Sequence, residues 1–243
     1  MSALAHYLEE EGLSTVAISL IRPQTENTKP PRALWVPFEL GRPFGPPGDA
    51  AFQKRVILAA LTMLERDHGP VIIEDFPADD PRAQPDPGWR APATPAIPAP
   101  GSAEALATGL EDEIRQLCDA HRRWVQDHGR TGVGLCGLSI VACGRYVADW
   151  LRGTPPPSPR EAFSAPLMLR FAVDDVKAYY LEAAAADPHR PSSRQLGDWF
   201  WNRTTAGAAI HALREACLGS EDDRLKLIAG NFLVPAARMR SAG

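Results

Sequence analysis

At 243 residues, 44% apolar and 23% charged, the chain is long enough for one large domain or two modest ones, and this globular usage excludes a wholly disordered protein. A formal net charge of -4 excludes a global electrostatic pull toward nucleic acid or an anionic membrane, so any anion site has to be a local patch. The acidic start MSALAHYLEEEG has no cationic signal-peptide flank, and the longest strongly apolar run, Val56 to Leu61, is too short to span a bilayer, so a cytoplasmic protein is expected.

The first predicted element is a helix over residues 2–11, with Leu4, Tyr7 and Leu8 on one face and Gly12 closing it. An apolar strand follows over residues 15–21. The next stretch, RPQTENTKPPRALWVPFELGRPFGPPGD, reads as a basic, proline-laden loop, with Arg22, Lys29, Arg32 and Arg42 against Glu26, Glu39 and Asp49. Asp49 then caps a predicted helix running to Arg66, in which Phe52, Val56, Ala59, Ala60 and Met63 recur at helical spacing. Residues 70–76, with Val71, Ile72 and Ile73 together, supply a second buried strand. Helices alternating with apolar strands imply right-handed parallel crossovers, hence an α/β parallel-sheet domain over residues 1–77. It is Rossmann-like but incomplete, because its first helix has no strand in front of it.

In such sheets ligands bind outside the carboxyl ends of the strands, where the loop after Ile21 emerges. Arg32, beside the stiff Pro30-Pro31 pair, is the first candidate to hold a substrate carboxylate, with Arg22 and Arg42 next, since a guanidinium offers paired donors matched to a carboxylate. Gly41 and Gly45 would let backbone approach a ligand, and Trp35, with Phe38, would wall the site. The competing reading pairs these cations with Glu26 and Glu39 or leaves them in solvent, and places Trp35 and Phe38 in the core.

The ordered series GLSTVAISLI, PPRALWVPF, GRPFGPPGD and AFQKRVILAALTML resembles the selenoprotein B family of glycine, sarcosine and betaine reductases. It is similar also to the selenoprotein subunit of D-proline reductase. The resemblance covers residues 1–77. It implies reductive cleavage of a carbon–nitrogen bond in an amino-acid-like substrate, by a selenocysteine or cysteine together with a pyruvoyl-bearing partner subunit. The family's redox segment precedes the helix that corresponds to residues 2–11, so no residue of this sequence is carried over as the nucleophile. No cofactor is assigned to the chain itself.

Eight of the 24 prolines fall between Pro77 and Pro100, in a stretch without apolar period, so residues 78–101 are expected to be a semi-rigid linker. Residues 102–243 then read as an all-helical domain with no recognised family. Its first helix is expected to run unbroken from Ser102 to His128, with Leu106, Leu110, Ile114, Leu117, His121, Trp124 and His128 along one stripe. Gly132, Gly134 and Gly137 satisfy GxGxxG, but WVQDHGR ahead of them looks like a helix end and not a strand, so dinucleotide binding is not expected. A more modest role is an anion held by backbone amides ahead of Ser139. The serine itself lacks the last glycine of a nucleophile elbow.

Cys118 with His121, His121 with His128, and His211 with Glu215 have spacings that metal ligands use. A structural zinc site needs four ligands, so core or interface roles are expected and no metal is assigned. The four cysteines, at 118, 136, 143 and 217, form no CxxC and read as buried or incidental thiols, not a dithiol redox centre. Asp174 and Asp175 are expected to open a helix running to Ala186, where acids suit the N-terminal dipole end. Trp199, Phe200 and Trp201 cannot all face one core, and a subunit interface competes with internal packing for the third.

The functional expectation is a reductase-related subunit that binds a small amino-acid-like substrate, with its redox residue supplied upstream or by a partner. Homo-oligomer or partner contacts would run through the helical domain. The alternative is a non-catalytic scaffold or ligand-binding protein.

Overall fold

The computed structural model describes residues 2–66, 69–92, 94, 97 and 102–239. The chain divides into two compact units, Met1–Gln84 and Pro85–Gly243.

The first unit is built on a three-stranded, all-parallel sheet in the order β1 (Ala17–Ser19), β2 (Arg32–Trp35), β3 (Ile72–Asp75). The expected parallel α/β arrangement is present, but the expected loop over residues 22–49 is not one loop. Arg22–Thr28 forms a short helix, α2, and Arg32–Trp35 is the central strand. Proline had suggested loop throughout. However, Pro23 lies in the first turn of α2, where the missing N–H has no intrahelical partner to lose, and Pro30-Pro31 stand just ahead of β2. The run Ala33, Leu34, Trp35, Val36 behind them supplies the buried strand.

Helix α1 (Ser2–Glu10) precedes β1. Helix α3 (Ala50–Thr62) crosses from β2 to β3, with Asp49 accepting the Phe52 N–H at 2.9 Å as the expected cap. Its Phe52, Val56 and Ala60 bury against Leu34, Val36, Phe38, Ile72 and Phe76. Phe38, Phe52 and Phe76 pack edge to face, with ring centres 5.5–5.9 Å apart, so Phe38 is core, as the competing reading had it. Gly45 (φ +85°) lies against this trio, since a Cβ there would stand 2.6 Å from the Phe52 ring.

The second unit is helical. The helix expected over 102–128 is broken at Leu117 into α4 (Ala103–Gln116) and α5 (Cys118–His128). Leu106, Leu110, Ile114 and Leu117 of the predicted stripe are buried, but α5 buries no residue fully. The change in burial coincides with the break. Helices α6 (Ile140–Leu151), α7 (Ala165–Ala184), α8 (Ser193–Arg203), α9 (Thr205–Leu218) and α10 (Asp223–Ile228) complete the unit.

Helix α7 is its axis, with Met168, Leu169, Ala172, Val173, Val176, Tyr179 and Tyr180 all buried. A helix enclosed on most of its circumference needs a wide apolar surface, which on α7 is interrupted by Arg170, Asp174, Asp175, Lys177 and Glu182. Ser164 caps it, so Asp174 and Asp175 lie in mid-helix and do not open it. Trp199 and Phe200 are buried, while Trp201 turns toward His211 of α9 with ring centres 5.3 Å apart, which gives the third aromatic an internal neighbour.

Part of the expected linker belongs to this unit. Asp86 exchanges two hydrogen bonds with the Gln195 amide, and the Trp89 indole donates to the Ala184 carbonyl at 3.1 Å. Residues 93, 95, 96 and 98–101 of that linker lie outside the described residues. No helix among the described residues is long and apolar enough to cross a membrane.

Candidate functional site

The register of the sheet aligns Ser19, Trp35 and Asp75 in one row at the carboxyl ends of the three strands. With side chains alternating along each strand, all three fall on one face, opposite Leu34. Helix α2 begins three residues after Ser19 and brings Arg22 and Thr25 onto this row. The Thr25 and Ser19 hydroxyls share a short hydrogen bond, and Thr25 also donates to the Ile21 carbonyl at 3.0 Å. Arg22 donates from Nε to Glu26 at 2.8 Å and from Nη1 to Asp75, and its guanidinium carbon lies 5.5 Å from the centre of the Trp35 ring. The hydrogen bond to Glu26 and then that to Asp75 raise the Arg22 pKa, so it is a permanent cation.

Two donor sets remain in this row. Five N–H groups radiate from a guanidinium, and Arg22 commits one to Glu26 and one to Asp75, leaving the others free to meet a ligand. The Trp35 Nε1–H is buried and has no hydrogen-bond partner among the described residues. A buried orphan donor costs about 1–3 kcal/mol, so it is a feature that a ligand acceptor would relieve.

The remaining predicted residues separate from this row. Arg32 stands at the amino end of β2, the opposite edge of the sheet, and donates to Glu9 of α1 at 2.7 Å. It lines a cleft of about 360 Å³ with His6, Glu9, Arg66 and Ile72. The reason is the strand itself: once residues 32–35 pair with both neighbours, the first of them must lie at the edge where strands begin. Arg32 is therefore not the carboxylate reader of a carboxyl-edge site. Arg42 pairs with Glu39 at 3.7 Å, in the exposed turn that also holds Gly41 (φ +90°). Gly45 serves the aromatic core. Of the predicted residues the structure brings Arg22 and Trp35 together; it adds Asp75, Ser19 and Thr25. The acid pair at the end of IIED was the available sequence signal for Asp75.

In the helical unit, the amides of residues 134–136 ahead of Ser139, expected to hold an anion at a helix N-terminus, are instead taken by a side chain of the protein itself. The carboxylate of Asp175 accepts N–H bonds from Gly134 and Leu135 at 2.8 and 2.9 Å through one oxygen, and from Cys136 at 3.0 Å through the other. Two turns further along α7, Glu182 accepts from the Gly132 N–H at 2.6 Å and the Thr131 hydroxyl at 2.7 Å, and lies 2.8 Å from His121 Nε2. The glycine-rich loop is thus fastened at two points to one helix face. Ser139 caps α6 through the Ala142 N–H.

His128 bonds the Trp124 carbonyl and stacks on its ring, so His121 and His128 do not converge. Cys118 is exposed, with Arg122 donating to its sulfur, and Glu215 pairs with Arg214.

Cys136 and Cys143, scattered in sequence, meet in the core with their sulfurs 3.7 Å apart, and the Asp175 carboxylate lies within 4.8 Å of both. The contact with Cys143 lowers the Cys136 pKa, and the same contact together with burial raises that of Cys143. Sequence spacing gave no sign of this pairing, because it depends on the loop folding back over α6.

Searches against protein-family models, curated proteins and solved structures give no match.

Proposed function

We propose that Met1–Gln84 is a ligand-binding module of a reductase-related subunit of the selenoprotein B type, and that it holds a small zwitterionic amino acid or betaine at the carboxyl edge of an incomplete Rossmann-like sheet. The observation that carries this reading is Arg22 set over Trp35 between Glu26 and Asp75, beside an indole N–H that has no acceptor.

Arg22, Glu26 and Asp75 sum to one negative charge, which disfavours a simple anion. A zwitterion suits them better. Its carboxylate takes the free donors of Arg22, its ammonium lies toward Asp75 or Glu26, and an aromatic face suits a methylated ammonium. Reductive cleavage of the carbon–nitrogen bond needs a cysteine or selenocysteine and, by the family resemblance, a pyruvoyl group, both supplied from outside this module.

The second reading, a non-catalytic ligand-binding or scaffold protein, is favoured by one fact. All four cysteines lie beyond residue 117, so this unit contains no thiol.

Calorimetry on the full chain with glycine, glycine betaine, D-proline and acetate tests the binding. A zwitterion should bind more tightly than acetate. Arg22→Ala should weaken that binding about tenfold or more, equivalent to about 1.4 kcal/mol, and Trp35→Phe should weaken it without loss of fold. If no zwitterion binds, or Arg22→Ala binds like the parent, the site is wrong. Release of ammonia from glycine or of trimethylamine from glycine betaine, or ring opening of D-proline to 5-aminopentanoate, with a pyruvoyl-bearing partner and a dithiol reductant present, separates the reductase from the scaffold.

A further inference from the structure

We propose that Cys136, Cys143 and Asp175 form a binding site for a thiophilic divalent metal ion of the zinc class inside the helical unit. The ligand atoms come from three separate places: the glycine-rich loop, the first turn of α6 and the middle of α7. All three residues are fully buried. Two sulfurs each about 2.3 Å from a tetrahedral ion stand about 3.8 Å apart, and these stand 3.7 Å apart. The same separation is too long for a disulfide, whose sulfurs lie about 2.05 Å apart. An Asp175 oxygen lies within 4.8 Å of both sulfurs, so the three donors surround one small volume.

The surroundings of the donors are those a metal site needs. Asp175 is oriented by three backbone N–H groups, and its Cys136-bonded oxygen carries one of them, which leaves that oxygen capacity for a further partner. The Leu138 N–H points at the Cys136 sulfur at 3.5 Å, a contact that stabilises thiolate. Cys143 Sγ lies 3.1 Å from the Ala172 carbonyl, so its proton has a local acceptor until it is displaced. Hydrogen bonds of this kind to the ligands fix their orientation and tune the ion.

Binding replaces two S–H bonds by two metal–sulfur bonds and releases both protons to solvent, with no change in oxidation state. Two thiolates, one carboxylate and a divalent ion leave one net negative charge, offset by the loop amides. Three protein donors are one short of the four that a structural zinc site uses, so the fourth ligand would come from water or another small molecule.

The test uses the full chain, purified under reducing conditions, stripped with chelator and titrated with Zn²⁺ or Co²⁺. The expected result is one metal per chain by native mass spectrometry, proton release on titration, and for Co²⁺ a sulfur-to-metal charge-transfer band with tetrahedral visible absorption. Cys136→Ser and Cys143→Ser should each abolish that band, while Cys118→Ser and Cys217→Ser keep it. The proposal is overturned if the parent chain takes up no stoichiometric metal, if the band survives both serine substitutions, or if reductant-free protein holds a Cys136–Cys143 disulfide and its reduced form binds no ion.

Discussion

Asp175, halfway along α7, accepts the backbone N–H of Gly134 at 2.8 Å across 41 residues of sequence. The same carboxylate holds Leu135 and Cys136, so one buried side chain sets the path of the glycine-rich loop. Asp175→Ala strips the partner from three amides at once and should lower unfolding free energy by about 3–5 kcal/mol, the range for breaking a buried charged network. Asp175→Asn keeps one acceptor oxygen and should cost less. Urea denaturation measures both, and hydrogen exchange should show protection lost first at residues 134–136. An unchanged midpoint for Asp175→Ala would remove the loop-anchoring role.

Glu113 is another buried acid, accepting the Thr205 and Ala206 N–H groups at 2.7 and 3.1 Å and the Tyr180 hydroxyl at 3.0 Å at the start of α9. Burial raises its pKa above the ordinary 4.5, against the downward pull of the Thr205 and Ala206 amides and the Tyr180 hydroxyl. A raised pKa means that the native state binds more protons than the unfolded chain. The group's contribution is therefore full below the unfolded value and declines as pH rises through the folded one. Stability of the parent relative to Glu113→Gln should fall as pH is raised from about 4 toward neutrality, as read from paired denaturation curves. A difference that does not vary with pH would contradict this.

Gly207 in α9 lies where that helix crosses the end of α8. A Cβ there would collide with the Phe200 carbonyl and stand 3.0 Å from the Trp201 Cα, both backbone atoms that cannot rotate away. Alanine is the better helix former by about 1 kcal/mol, yet Gly207→Ala should destabilise by about 1–3 kcal/mol because overpacking outweighs propensity. Thermal unfolding of the variant decides the sign.

Arg32 and Glu9 form a partly shielded pair, with side chains 17% and 26% exposed. A double-mutant cycle with Arg32→Ala and Glu9→Ala should give a coupling of about 1 kcal/mol. Neither change should alter zwitterion affinity, whereas Arg22→Ala should alter affinity more than stability. A loss of ligand binding in Arg32→Ala would return the site to the amino edge of the sheet.

Much of the first unit is legible from pattern. The apolar period of α3, its Asp49 cap and the Ile72-Ile73 run are local signals, and each corresponds to an element. The central strand was hidden because Pro30-Pro31 and the flanking cations look like loop when only neighbours are counted; pairing with strands on both sides overrides that. Arg32 was misplaced for the same reason. Its residue type suits a carboxylate, but the end of the sheet on which it stands depends on where β2 begins.

In the second unit, helical periodicity places the stripe from Leu106 to Leu117 in the core but does not reveal the break after it. Asp174 and Asp175 look like a helix start when only the acids are read. Ser164 starts the helix ten residues earlier, which turns Asp175 inward.

The sequence by itself determined part of the local structure: the helices near residues 2–11 and 50–62, the Asp49 cap, the apolar runs that are buried as strands around residues 17–19 and 72–75, and that the cations of residues 22–42 have acids close by in the chain. These are properties of neighbours within a few residues, set by backbone sterics, side-chain period and short-range charge. Tertiary structure alone decided that Arg22 meets Trp35 and Asp75, that Asp175 fills the glycine-rich loop, and that Cys136 and Cys143 touch. Each of those contacts depends on strand register or on the docking of one element against another, and the energies that fix them arise from groups far apart in the chain.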